Sequence, residues 1–192
     1  MIIHKVGNEE VFETEIELPI KTLIEYSNTL KKENVGQYTG ENKRSNRKGF
    51  QSFEYFYRLY QKHPINEFQT IFEKIHELIL NVFDDRFNYT LNNYWVNINS
   101  PGSKNELHNH IRPYSNTQGV SGTFYIHVPT NSGNITFITQ DSELEITSSV
   151  NRLILFPSYL DHKVSENLSN DDRYSIAFNY DMEIKQGKKT IF

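Results

Sequence analysis

The segment NELHNHIRPYS, residues 105–115, carries two of the chain's seven histidines, His108 and His110, one residue apart. Side chains at i and i+2 of a β-strand project to the same face, so a strand here would aim both imidazoles at one point. Imidazole suits iron, zinc, copper and nickel, and two on one face begin a divalent-metal site. A third histidine, His162, follows the apolar run LILF and a proline-containing turn. Eleven residues further on, RYSIAFN places Arg173 and Ser175 at i and i+2 of another strand-like run. A guanidinium facing the interior of a sandwich is costly unless an anion meets it. Its planar fork matches a carboxylate, and a serine hydroxyl adds a further donor. The chemistry on offer is a histidine-bound metal with a carboxylate post on the next strand. By itself H-x-H also fits two solvated loop histidines, and Arg173 also fits a rim residue paired with Asp171 or Asp172.

The elements that must position these residues lie mostly in the second half. From about residue 90 come YTLNNYWVNINS, GTFYIHVPT, GNITFITQD, LEITSSV, RLILFPSYL and RYSIAFNYDMEI. These short runs are rich in β-branched and aromatic residues and are separated by Gly, Pro, Asn and Ser, which predicts an antiparallel sandwich or barrel. Upstream, EVFETEIELPI (10–20) predicts an opening strand and KTLIEYSNTLKKE (21–33) a helix. PINEFQTIFEKIHELILNVFDDRF predicts a second helix, with Pro64 in its first turn and a stripe of Phe68, Ile71, Phe72, Ile75, Leu78, Ile79 and Val82. His76 beside that stripe reads as a core-edge residue. The class is α+β, in one domain over 1–192: a strand and helices over 1–89 supporting a β-structure over 90–185 that holds the site.

Composition narrows the function classes. Aromatic residues reach 14%, so large rings build the core despite only 36% hydrophobic residues. A net charge of −4 argues against a general nucleic-acid binder, and Lys43, Arg44, Arg47 and Lys48 read as a solvated loop able to steer an anion. The absence of cysteine excludes disulfides, thiolate metal sites and a cysteine nucleophile. With no apolar signal core or membrane-length run, a cytoplasmic location with no membrane partner is the expectation.

Taken in order, SNRKGFQS (45–52), WVNINSPGSKNELHNH (95–110), SGTFYIHVP (121–129), GNITF (133–137), LILFPSYLDHKV (153–164) and RYSIAFN (173–179) resemble the iron(II)- and 2-oxoglutarate-dependent oxygenases, in particular their small bacterial and phage branch. The resemblance implies a double-stranded β-helix, a cupin-like jelly roll, with the N-terminal helices packed on it and iron(II) at its open end. It implies that His108 and His162 are metal ligands, and that Arg173, assisted by Ser175, pairs with the distal carboxylate of 2-oxoglutarate. The position two after the first histidine is usually Asp or Glu in the superfamily; here it is His110. His110 is retained as the third ligand, with Glu106 as the substitute if it is not one. Asp161 would point to the opposite strand face. Tyr125 and Asn97 are further candidates for the cosubstrate pocket, with core packing an equal alternative for Tyr125. His127 reads as structural, and Asn179 as a turn or cap.

The implied activity is hydroxylation of a peptidyl residue or a small molecule by O2 and 2-oxoglutarate, with release of succinate and CO2. Two rivals stay open: a metal- and carboxylate-binding β-helix without turnover, and a three-histidine cupin-type dioxygenase that does not use 2-oxoglutarate. Residues 36–63, rich in Gly, Asn and charge, are the expected lid. The primary substrate and the oligomeric state are left open.

Overall fold

The computed structural model describes residues 1–33, 35–38, 45–52, 66–111 and 119–185. The chain opens with a hairpin of β1 (Ile2–Val6) and β2 (Glu9–Glu15), then α1 (Ile20–Lys32), β3 (Gly36–Tyr38), β4 (Asn46–Arg47) and β5 (Phe50–Ser52). After α2 (Asn66–Val82) come β6 (Phe87–Asn99), β7 (Lys104–His108), β8 (Gly119–His127), β9 (Ile135–Ile138) and β10 (Glu143–Ile146). The last strands are β11 (Arg152–Pro157), β12 (Asp161–Val164) and β13 (Arg173–Ile184).

Two antiparallel sheets face each other. The larger has the order β1-β2-β11-β8-β13-β6-β5-β3, the smaller β10-β9-β12-β7-β4. From β6 onward the chain passes from one sheet to the other, with β9 and β10 forming a hairpin in the smaller sheet. That is the connectivity of a jelly roll, the double-stranded β-helix expected from the sequence.

The larger sheet is covered on both faces, and strand alternation sorts its side chains accordingly. Tyr94, Val96 and Ile98 of β6, Phe124 and Ile126 of β8, Leu153 and Leu155 of β11, and Ile176 and Phe178 of β13 join Leu23, Leu30, Phe68, Phe72, Ile75 and Ile79 of the two helices in one core. Rings dominate there: Phe68 meets Tyr94 at 4.9 Å and Phe72 meets Phe178 edge-on at 5.7 Å between centroids. The opposite faces of these strands carry Asn93, Trp95 and Asn97, Thr123 and Tyr125, and Ser175, Ala177 and Asn179, all lining a cavity between the sheets. A second core of Val11, Ile135, Phe137, Ile154 and Phe156 closes the rest of the space between them. His76 lies at the edge of the helix-covered core, its ring stacked on Tyr180 at 5.9 Å.

Several expectations need correction. The opening strand ends at Glu15 rather than continuing to residue 20, because Pro19 precedes the first helical turn at Ile20. Asn179 does not end a strand: β13 continues to Ile184, and the residue faces the cavity. The expected lid is divided. Asn46, Phe50, Gln51 and Ser52 are buried in β4 and β5, where backbone pairing holds them in the sheets. The rest of 36–63, apart from β3 and residues 45–52, lies outside the described residues, as do Pro64, Lys43 and Arg44. No described helix is long and apolar enough to cross a membrane.

Candidate metal centre and carboxylate pocket

His162 lies in β12 directly opposite His108 at the end of β7. The strand stops at His108, so His110 reaches the same place from just beyond it. Its backbone N–H donates to the Ser158 carbonyl at 2.8 Å, which fixes the turn. The i, i+2 argument thus reaches the right convergence through a different local geometry. One ligand atom from each of His108, His110 and His162 lies within 4.8 Å of the others. Ring centroids are separated by 4.2 Å for His108–His162, 5.0 Å for His110–His162 and 5.2 Å for His108–His110.

The hydrogen bonds behind these rings define their tautomers. Nδ1 of His108 donates to the Glu106 carbonyl at 2.7 Å, and Nδ1 of His162 to the Leu160 carbonyl at 2.9 Å. A carbonyl only accepts, so both Nδ1 atoms carry the proton and both Nε2 lone pairs are free. Nδ1 of His110 meets Ser121 Oγ at 2.9 Å. Burial lowers the pKa of all three, and the neighbouring imidazoles lower His110 further, to about 3, and His162 well below the ordinary range. Neutral rings with bare nitrogens are what a divalent cation requires. The donor set therefore fits a metal, with three neutral ligands.

No carboxylate belongs to this group among the described residues. Glu106 is turned away and paired with Lys104 at 3.0 Å, which removes it as the substitute ligand in this arrangement. Asp161 accepts from Asn109 Nδ2 at 2.7 Å outside the cluster.

Arg173, at the start of β13, is only 2% exposed. Its Nη1 donates to the Ser132 and Gly133 carbonyls at 2.6 and 3.1 Å. Nε has no partner among the described residues, and no described carboxylate pairs with the guanidinium. Asp172, the expected rim partner, is instead bridged to Lys31 at 3.1 Å. The Nη1 clamp leaves the edge with Nε as the open side of the fork, the geometry that receives a carboxylate side-on. Beside it, burial raises the Tyr125 phenol pKa, an effect that the charge of Arg173 partly offsets.

Strand register aligns the remaining candidates. Ser175 is directly opposite Tyr125 on one side and Asn97 on the other. These three form a polar row across β8, β13 and β6, on the wall of the same cavity as Arg173 and the histidines. The cavity measures about 320 Å³. Oδ1 of Asn97 is buried without a donor, and rotating the amide would present an NH2 to a carboxylate instead. His127 is exposed at the end of β8, its ring 6.1 Å from Tyr174, and lies outside the site.

Several site residues escape sequence reasoning. Trp95 meets the His110 ring edge-on at 5.4 Å, and Phe156 packs on His162 at 4.8 Å. Gln51, Asn93 and Ser121 complete the polar surroundings. Trp95 and Phe156 sit in strands whose alternation is legible; which face meets the three histidines is set by register, which a single sequence does not display.

Residues 139–179 match the family model described as "Putative 2OG-Fe(II) oxygenase". That stretch runs from the end of β9 into β13 and includes His162, Arg173 and Ser175. Among solved structures, a prolyl-4-hydroxylase from Pseudomonas putida superposes with a TM-score of 0.66 at 13% identity, covering 91% of this chain and 94% of that one. A Trichoplax adhaerens prolyl hydroxylase, solved with a hypoxia inducible factor oxygen degradation domain peptide fragment, gives 0.68 at 15% identity, with 89% and 83% covered. A non-heme α-ketoglutarate-dependent carbocyclase from nogalamycin biosynthesis gives 0.69 at 10% identity, with 93% and 83% covered. No curated protein matches the sequence. The structural likenesses establish a shared jelly-roll fold, and the match to the 2OG-Fe(II) oxygenase family model covers β10–β12 and the start of β13, the part of the chain that carries His162, Arg173 and Ser175.

Proposed function

We propose that the protein is a hydroxylase in which His108, His110 and His162 hold iron(II) and Arg173 anchors 2-oxoglutarate, acting on a peptidyl residue or a small molecule. The observation that carries this reading is Arg173: a buried guanidinium with an open edge and no carboxylate partner among the described residues, in the same cavity as three neutral histidines. A desolvated cation of this kind calls for an anion of matching shape. When bound at the histidines, iron(II) supplies oxygen activation coupled to decarboxylation of 2-oxoglutarate to succinate and CO2. The residues of the chain position the reactants. Arg173 receives the distal carboxylate, Ser175 and Tyr125 add hydroxyl donors, and Asn97 presents its amide from the next strand. Trp95 and Phe156 pack on the ligand rings and limit the access of water to them. The neighbours in fold include two prolyl hydroxylases and one enzyme of nogalamycin biosynthesis, which supports both substrate classes.

The test combines metal and cosubstrate titrations with succinate measurement under iron, ascorbate and 2-oxoglutarate. Wild type should bind one divalent ion and form succinate; His162→Ala should lose the ion, and Arg173→Ala should keep the ion but lose 2-oxoglutarate binding. A second reading, a β-helix that binds metal and carboxylate without turnover, is favoured by the all-histidine ligand group. It predicts both binding events with no succinate. A three-histidine dioxygenase independent of 2-oxoglutarate predicts that Arg173→Ala changes nothing.

A further inference from the structure

His108 and His162 each direct Nδ1 to a backbone carbonyl two residues upstream, so their orientation is set locally. His110 lies beyond the strand end and has no such partner among the described residues. Its Nδ1 is held by a side chain from the other sheet, Ser121 Oγ at 2.9 Å. Ser121 Oγ in turn lies 2.6 Å from Asn179 Oδ1, and Asn179 Nδ2 donates to Asn93 Oδ1 at 2.8 Å. The three residues form one in-register row across β8, β13 and β6: Ser121 opposite Asn179, Asn179 opposite Asn93. A register shift immediately after Asn179 lets Tyr180 pair with Leu91. Such a bulge re-aims side chains where it occurs.

The direction of the protons follows from the chemistry of the groups. Asn93 Oδ1 accepts the Asn179 amide hydrogen, which turns Asn179 Oδ1 toward Ser121. The serine hydroxyl donates its single hydrogen to that oxygen at the shorter of its contacts; Ser158 Oγ lies at 2.9 Å. Ser121 then has only lone pairs to offer His110, so the proton resides on Nδ1 and Nε2 is bare.

We infer that Ser121 and Asn179 are positioning residues of the metal centre, forming a relay that fixes the His110 tautomer and makes this third imidazole a ligand where the superfamily usually has a carboxylate. The inference rests on the metal-centre reading above. Partners behind a ligating histidine orient the ring and raise its basicity, and losing one commonly costs 10- to 100-fold in metal affinity.

The test uses the full chain and Co(II) as the probe, read by affinity and by the ligand-field absorption of the bound ion. Ser121→Ala and Asn179→Ala should weaken Co(II) binding by about 10- to 100-fold and alter the absorption bands, while Ser121→Thr, which keeps the hydroxyl, restores both. His162→Ala separates the two readings. If it abolishes Co(II) binding while Ser121→Ala and Asn179→Ala match wild type in affinity and spectrum, the relay is overturned and the metal centre stands. If His162→Ala binds Co(II) as wild type does, the metal centre falls and the relay with it. An arm that needs no variant is nitrogen NMR of the Zn(II)-loaded wild type: Nδ1–H with a metal-bound Nε2 on His110 supports the relay, and the reverse tautomer overturns it.

Discussion

Arg173 illustrates why residue type matters more than charge in this pocket. Its Nη1 is gripped by two carbonyls, so one part of the guanidinium anchors the side chain while the edge with Nε is offered to a ligand. A lysine cannot divide those roles, because its ammonium is a single point with no fork. Arg173→Lys should therefore weaken 2-oxoglutarate binding by roughly 10- to 100-fold, the value of one or two charge-assisted hydrogen bonds. Metal affinity should stay unchanged; isothermal titration with each ligand checks both. The chemical identities of His108, His110, His162, Arg173 and Ser175 are legible in the sequence because metal and carboxylate binding demand few residue types. Glu106 shows where that legibility ends. Its spacing qualifies it as a ligand, yet Lys104 two residues away takes its carboxylate outward. Asn179 shows the opposite case, a residue with an ordinary capping character that β13 carries through to the cavity.

The loop before β9 matters to the site as much as the strands do, since it supplies the carbonyls that hold Arg173. Gly133 has φ of +95°, and a Cβ there would lie 2.3 Å from the Ser165 carbonyl oxygen and 3.0 Å from Arg173 Nη1. Backbone in that region strains any L-residue, and the contact with Ser165 leaves no room for relief. Gly133→Ala should cost about 1–3 kcal/mol of stability and weaken 2-oxoglutarate binding while Co(II) binding persists. Thermal melts with and without each ligand separate these effects. At this scale the sequence shows strands that bury a face and hides those that do not. β6, β8, β11 and β13 announce themselves through alternating aromatic and β-branched residues. β1 is an edge strand with Ile2 and Ile3 exposed at 56% each, and β12 is four residues of mixed polarity, DHKV. What makes β12 a strand is its pairing with β7 and β9, contacts distant in sequence.

For the molecule as a whole, the jelly roll folds around three imidazoles that must stay uncharged. In the metal-free chain His108, His110 and His162 all have pKa values depressed by burial, to about 3 for His110. The unfolded chain titrates these rings near the ordinary value of about 6.5. Between the two, the unfolded state binds protons that the folded state refuses, so stability must rise with pH through this window and be lost as pH falls below about 6.5. The apo protein should accordingly melt at lower temperature at pH 5 than at pH 7, and His162→Gln, which removes one such ring, should flatten that dependence. Metal acts in the same direction. An ion bound by neutral histidines stabilises only the folded chain, by an amount that grows with its concentration relative to Kd. Because burial keeps these nitrogens unprotonated in the folded chain well below the ordinary histidine value, the rise in Tm on adding Co(II) should persist at pH 5 and shrink only on further acidification toward the depressed pKa values. A Co(II)-induced rise in Tm that is as large in His162→Ala as in wild type would mean that the ion is held by groups other than these three histidines.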